Sequence, residues 1–85
     1  MTYQVLLRPA AGRDLAKLPS DIRSRLTEVL FTLENDPRPP SVIKLAGNAN
    51  LWRIRVGDYR VIFEIDDPAQ IVLVLRIAHR RDAYR

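Results

Sequence analysis

Trp52-Arg53-Ile54-Arg55-Val56-Gly57-Asp58-Tyr59-Arg60-Val61-Ile62-Phe63 reads as a β-hairpin. Gly57-Asp58 is a two-residue turn signal with glycine first, as a type II′ turn prefers, and it separates two runs of β-branched and aromatic residues. Closing that turn sets Val56 against Tyr59 and Arg55 against Arg60. Period-two alternation then gathers Arg53, Arg55, Arg60, Ile62 and Glu64 on one face, leaving Trp52, Ile54 and Val56 on the other. Like charges directly opposite on neighbouring strands destabilise a sheet, so the Arg55/Arg60 pair points either to an anionic ligand or to neutralisation by Glu64, Asp58 or a carboxylate of a proline-rich loop.

Downstream of the hairpin, Asp67-Pro68-Ala69-Gln70 is a turn that leads into a third strand, Ile71 to Ala78. Ile71-Val72-Leu73-Val74-Leu75 shows no polar alternation, which predicts a central strand covered on both faces. Upstream, Gly47-Asn48-Ala49-Asn50 is turn-rich, Val42 to Leu45 is ambiguous, and Asn35 to Pro40 holds three of the six prolines and ends a helix. That helix is the strongest in the chain: Ile22, Leu26, Val29, Leu30 and Leu33 form one stripe, with Ser20 as expected N-cap and Asp21 in the first turn. Phe31 lies off the stripe, where it either widens the buried face or offers a partner an apolar handle. Ala11, Leu15 and Leu18 mark a shorter helix from Ala10 to Leu18, closed by Pro19, and Tyr3 to Leu7 reads as a first strand ending before Pro9. The expected fold is a single α+β domain, residues 1–85, in the order β-α-α-β-β-β. Two N-terminal helices pack on a twisted, mainly antiparallel sheet.

Leu, Ile, Val and Phe supply 27 of the 85 residues, enough to fold, although a chain of this size buries only about 60–65 % of its unfolded surface. There is no cysteine and one histidine, which excludes thiolate metal sites and disulfides and gives no basis for a metal or other cofactor. The longest apolar run is five residues, far short of the roughly 20 a membrane helix needs, and the N-terminus carries no signal-peptide hydrophobic region. A cytoplasmic protein without a membrane partner is expected. Net charge is +4 and the isoelectric point about 10.1, with 12 arginines against 2 lysines, a balance suited to bidentate phosphate contacts.

A second basic cluster, Arg76, His79, Arg80 and Arg81, ends the third strand, with Tyr84 close behind. Antiparallel pairing of that strand with Tyr59–Asp66 brings Arg80 toward Arg60, while a four-residue turn leaves open whether Arg76 or Ile77 faces the arginines. Ser20, Ser24 and Ser41 stand in no nucleophile motif, and Glu64, Asp66 and Asp67 read as turn and surface acids rather than a catalytic pair. RNA cleavage by the ribose 2′-OH fits better, because there the protein mainly stabilises charge on the phosphate and moves protons. Arginine stays protonated, so proton transfer falls to Tyr84, to His79 or to groups on the substrate's own scaffold.

The Trp52-to-Phe63 string, Lys44-Leu45-Ala46-Gly47, and Ile77-Ala78-His79-Arg80-Arg81-Asp82-Ala83-Tyr84 resemble the RelE/ParE toxin superfamily of toxin–antitoxin modules over nearly the whole chain. For RelE-type members the resemblance implies a ribosome-dependent endoribonuclease that cuts mRNA in the ribosomal A site. It implies a RelB-like antitoxin that wraps the toxin, and operator DNA bound only through that complex. The family's activity rests on two basic residues of the hairpin's first strand, an arginine of its second, an arginine near the chain end and a tyrosine after it. The matching positions here are Arg53, Arg55, Arg60, Arg80 and Tyr84; Lys44, Arg76, His79 and Arg81 are expected as further RNA contacts. Some RelE proteins carry lysines where this chain has Arg53 and Arg55. ParE-type relatives share the fold and poison DNA gyrase instead, and a relative that only binds antitoxin and operator is a third reading. Exposed apolar shoulders near Phe31, Leu45 and Trp52 suit an amphipathic antitoxin segment, although Trp52 by parity belongs to the core.

Overall fold

A computed structural model describes residues 2–45, 50–79 and 81. Five strands form one mixed sheet in the order β1-β5-β4-β3-β2. These are β1 (Gln4–Leu7), β2 (Val42–Lys44), β3 (Leu51–Val56), β4 (Tyr59–Asp66) and β5 (Ile71–His79), with helices α1 (Pro9–Ala16) and α2 (Ser20–Asn35) between β1 and β2. β1 runs parallel to β5, and the three other pairings are antiparallel. The expected order holds, with Val42–Lys44 resolved as one added edge strand.

Pro9 ends β1 and starts α1, holding Arg8 extended at φ −63° and ψ 156° as a residue before proline must be. Lys17 and Leu18 close the helix with tight bonds to the carbonyls of Asp14 and Leu15. Ser20 does not cap α2: Pro19 occupies the cap position, no side chain caps the helix, and Ser20 is its first helical residue, with Asp21 in the first turn as expected. Leu26, Leu30 and Leu33 are buried on the predicted stripe, and Ile22 and Val29 pack at its margin. Phe31, a turn of roughly 100° away from Leu30, is 60 % exposed and does not widen the buried face.

Gly57 has φ +59° and Asp58 stays at negative φ, the signature of the expected type II′ turn. Both helices pack on one side of the sheet. There Ile54, Val56, Val61, Phe63, Ile65, Val72, Val74 and Ile77 join Ala11 and the α2 leucines in a single core. β5 is interior, but it is not covered on both faces by helices: Val72 and Val74 are fully buried, whereas Ile71, Leu73 and Leu75 are only half-buried. A bulge contributes to this, since Ile62 pairs with Arg76 and Phe63 with Val74, leaving Leu75 without a partner residue. Far from the hairpin turn, Arg38 grips Asp67 with two parallel bonds, Nη1 to Oδ1 at 3.1 Å and Nη2 to Oδ2 at 2.8 Å, and the Tyr3 hydroxyl donates to Oδ1 at 2.6 Å. These three side chains join the segment just before β1, the proline-rich loop and the β4–β5 turn. No helix among the described residues is long and apolar enough to cross a membrane.

Candidate nucleic-acid interface

The hairpin register is Val56 opposite Tyr59, Arg55 opposite Arg60 and Arg53 opposite Ile62, as the turn dictates. Residues flanking a two-residue loop exchange both backbone bonds, so Arg55 and Arg60 form the next, non-bonded pair, in which side chains approach most closely. On the far side of β4, Arg60 pairs with Ala78 and Ile62 with Arg76. Arg53, Arg55 and Arg60 therefore share the sheet face turned away from the helices. Arg55 is exposed, Arg53 half-buried with its Nε enclosed and lacking a hydrogen-bond partner, and Arg60 only 4 % exposed. Among the described residues neither Arg53 nor Arg55 makes an ion pair with Glu64, Asp58 or Asp36. Asp36 instead accepts the Arg38 amide at 3.0 Å.

The other expected contacts divide. Arg76 has the register of the arginine face, which answers the choice between Arg76 and Ile77, since Ile77 is in the core. Its guanidinium, however, reaches to Asp14 of α1, Nε to Oδ2 at 2.8 Å and Nη2 to Oδ1 at 3.3 Å. His79 pairs with Tyr59 on the helix side of the sheet, their rings edge to face at 5.3 Å, and its Nδ1 accepts the Arg81 amide at 3.3 Å. That hydrogen bond leaves Nε2 to carry the proton of the neutral ring. His79 thus stands away from the arginines. Lys44 also lies on the opposite face: it pairs with Trp52, and its Nζ sits 5.7 Å from the indole centroid while Arg38 covers the ring at 4.9 Å. Trp52 itself packs against the core margin, as its parity implied. Arg80 and Tyr84 lie outside the described residues.

Two acids that no sequence motif marks, Asp14 and Asp67, are held in ion pairs. Partial burial works against the charge of Asp14, but the Arg76 hydrogen bond, the Ile77 amide and the nearby charges of Arg76 and Lys17 outweigh it and hold its carboxyl below the ordinary value. Asp67 is held low by the Arg38 and then the Tyr3 hydrogen bonds, and Tyr3 is pushed up in turn, chiefly by its bond to Asp67. No sequence signal marks either pairing, because the partners are 62 and 29 residues apart.

This arrangement of two helices on a mixed five-stranded sheet is found in known proteins. The model of the family described as ParE toxin of type II toxin–antitoxin system, parDE, matches residues 5–84. Toxin RelG of Mycobacterium tuberculosis is 38 % identical over 100 % of this chain and 99 % of its own length. The toxin–antitoxin complex RelBE2 of Mycobacterium tuberculosis contains a chain that superposes with a TM-score of 0.84 at 34 % identity, covering 94 % of this chain and 100 % of that one. The archaeal RelE–RelB complex of Pyrococcus horikoshii gives the same score and identity over 94 % of this chain and 97 % of its counterpart. Fold and matches define a toxin of a type II toxin–antitoxin system. The chain belongs to the RelE/ParE toxin family.

Proposed function

We propose that this toxin is a RelE-type endoribonuclease that cuts mRNA in the ribosomal A site and so stops translation in the cytoplasm. The observation that carries the reading is the placement of Arg53, Arg55 and Arg60 together on the sheet face away from the helices, with Arg55 exposed, an arginine set suited to an RNA phosphate. In the reaction the ribose 2′-oxygen bonds to the adjacent phosphorus and the bond to the 5′-oxygen breaks. The 2′-OH gives up its proton and the leaving oxygen takes one up. Guanidiniums at Arg53, Arg55 and Arg60, joined by Arg80, bind the phosphate and stabilise the charge that builds on it. With His79 on the other side of the sheet, proton transfer falls to Tyr84 or to groups of the ribosome and its RNA. Arg81 acts as an outlying phosphate contact; Lys44 and His79 are on the opposite face and Arg76 is held by Asp14, so any RNA contacts they make lie apart from the arginine site. No cofactor enters this scheme.

The partner is a RelB-like antitoxin, a reading supported by the RelB–RelE complexes among the related structures. Phe31, Leu7, Leu15, Leu30 and Val5 line an apolar groove between the helices and β1 that suits an amphipathic segment. Operator DNA is reached only through that complex. Gyrase poisoning is the second reading, favoured by the ParE description of the matching family.

Primer extension on message from an in vitro translation reaction tests both. Wild type is expected to cut at A-site codons only with ribosomes present, and Arg60→Ala and Arg80→Ala to lose at least about a hundredfold in rate, the scale of removing one charge-stabilising donor. Intact message beside inhibited gyrase supercoiling would move the protein to the ParE type.

A further inference from the structure

β1 accompanies β5 only from Ile71 to Val74, and the Arg8 amide, donating to the Val74 carbonyl at 2.9 Å, is the last link along that edge. β5 continues to His79, and α1 packs along it in place of a strand. Asp14, in the last turn of α1, completes the edge. Its Oδ2 accepts the Ile77 amide at 3.0 Å and Arg76 Nε at 2.8 Å, and the carboxylate is 17 % exposed against 60 % for the Arg76 side chain. Ile77 is anchored in the core opposite Val61, and the next residue, Ala78, is the register partner of Arg60. One carboxylate fixed on a helix therefore sets where the second half of β5 lies beside the arginine face.

We propose that Asp14 is a positioning residue of the arginine site. By holding the Ile77 amide and the Arg76 guanidinium it fixes the end of β5 against Arg60 and directs the strand from which Arg80 follows in sequence. The inference rests on the ribonuclease reading above. Asp14 touches no substrate; it acts through the strand, so its loss slows the cleavage step and leaves ribosome binding in place. The Ile77 amide needs an acceptor oxygen there, which asparagine keeps and alanine removes.

The test compares wild type, Asp14→Ala and Asp14→Asn by native-state amide exchange at Ile77, single-turnover cleavage of ribosome-bound message, ribosome affinity and thermal melting. Asp14→Ala is expected to speed Ile77 exchange and slow cleavage, each by about tenfold, because small displacements of a reacting constellation cost at least that much. Its ribosome affinity should stay within about twofold, and Asp14→Asn should recover both signals to within about threefold. Unchanged Ile77 exchange in the alanine variant overturns the proposal. So does wild-type cleavage despite faster exchange, or an equal loss in both variants that simply follows the melting temperature. If wild type itself leaves message intact, the ribonuclease reading falls, while the exchange comparison still decides whether Asp14 holds the strand.

Discussion

Arg55 and Arg60 confront one another across the β3–β4 ladder, one exposed and one almost fully enclosed. A fold selected for stability alone would separate them. Arg55→Ala should therefore raise stability by about 0.5 kcal/mol, or roughly 2–4 °C in melting temperature for a domain of this size, while weakening affinity for single-stranded RNA. Thermal denaturation and oligonucleotide titration of the same sample measure both, and a variant that melts lower would remove the repulsion from the account. The opposition was legible because it is local: a two-residue turn fixes how the two strands it joins pair. His79 and Lys44 were not placed by the same logic. The face of His79 depends on where β5 pairs and on the bulge between Ile62 and Phe63, and that of Lys44 on a three-residue edge strand whose pairing no local signal gives.

The hairpin as an element depends on Gly57, whose φ of +59° an L side chain adopts with difficulty. A Cβ there would meet only the Arg25 guanidinium, at 3.9 Å, so space is not the obstacle. Gly57→Ala should then cost about 1–2 kcal/mol through backbone strain alone, measurable by urea denaturation. A neutral substitution would mean that the turn relaxes to another type. The element order, the α2 stripe and the three late strands were all readable because periodicity reports which face an element buries. The limits of that reading are equally physical. Proline took the cap position expected of Ser20, since its fixed φ already serves the helix entry. The unbroken apolar run of β5 suggested two covered faces, yet the helices lie on one, and the remaining apolar residues line the half-open arginine side.

At the scale of the molecule, long-range ion pairs among the described residues tie distant segments together, Arg38 with Asp67 and Arg76 with Asp14. Both carboxyls titrate below their ordinary value, so each lends stability that is complete above the unfolded-state value, near 4, and disappears as pH falls through the lower folded-state value. Melting temperature should accordingly drop on acidification below about pH 4. Asp67→Asn should lower it at neutral pH, with the gap to wild type closing in acid; melts from pH 7 to pH 2 would show a constant gap if the pairing contributes nothing. The parallel seam between β1 and β5 has a different kind of consequence. Gln4 meets Ile71, so this seam joins the first and last strands of the chain, the pairing with the largest loop to close. It is the pairing that loop-closure entropy penalises most, and a chain in which it has opened leaves one edge of its most apolar strand free to pair with another chain.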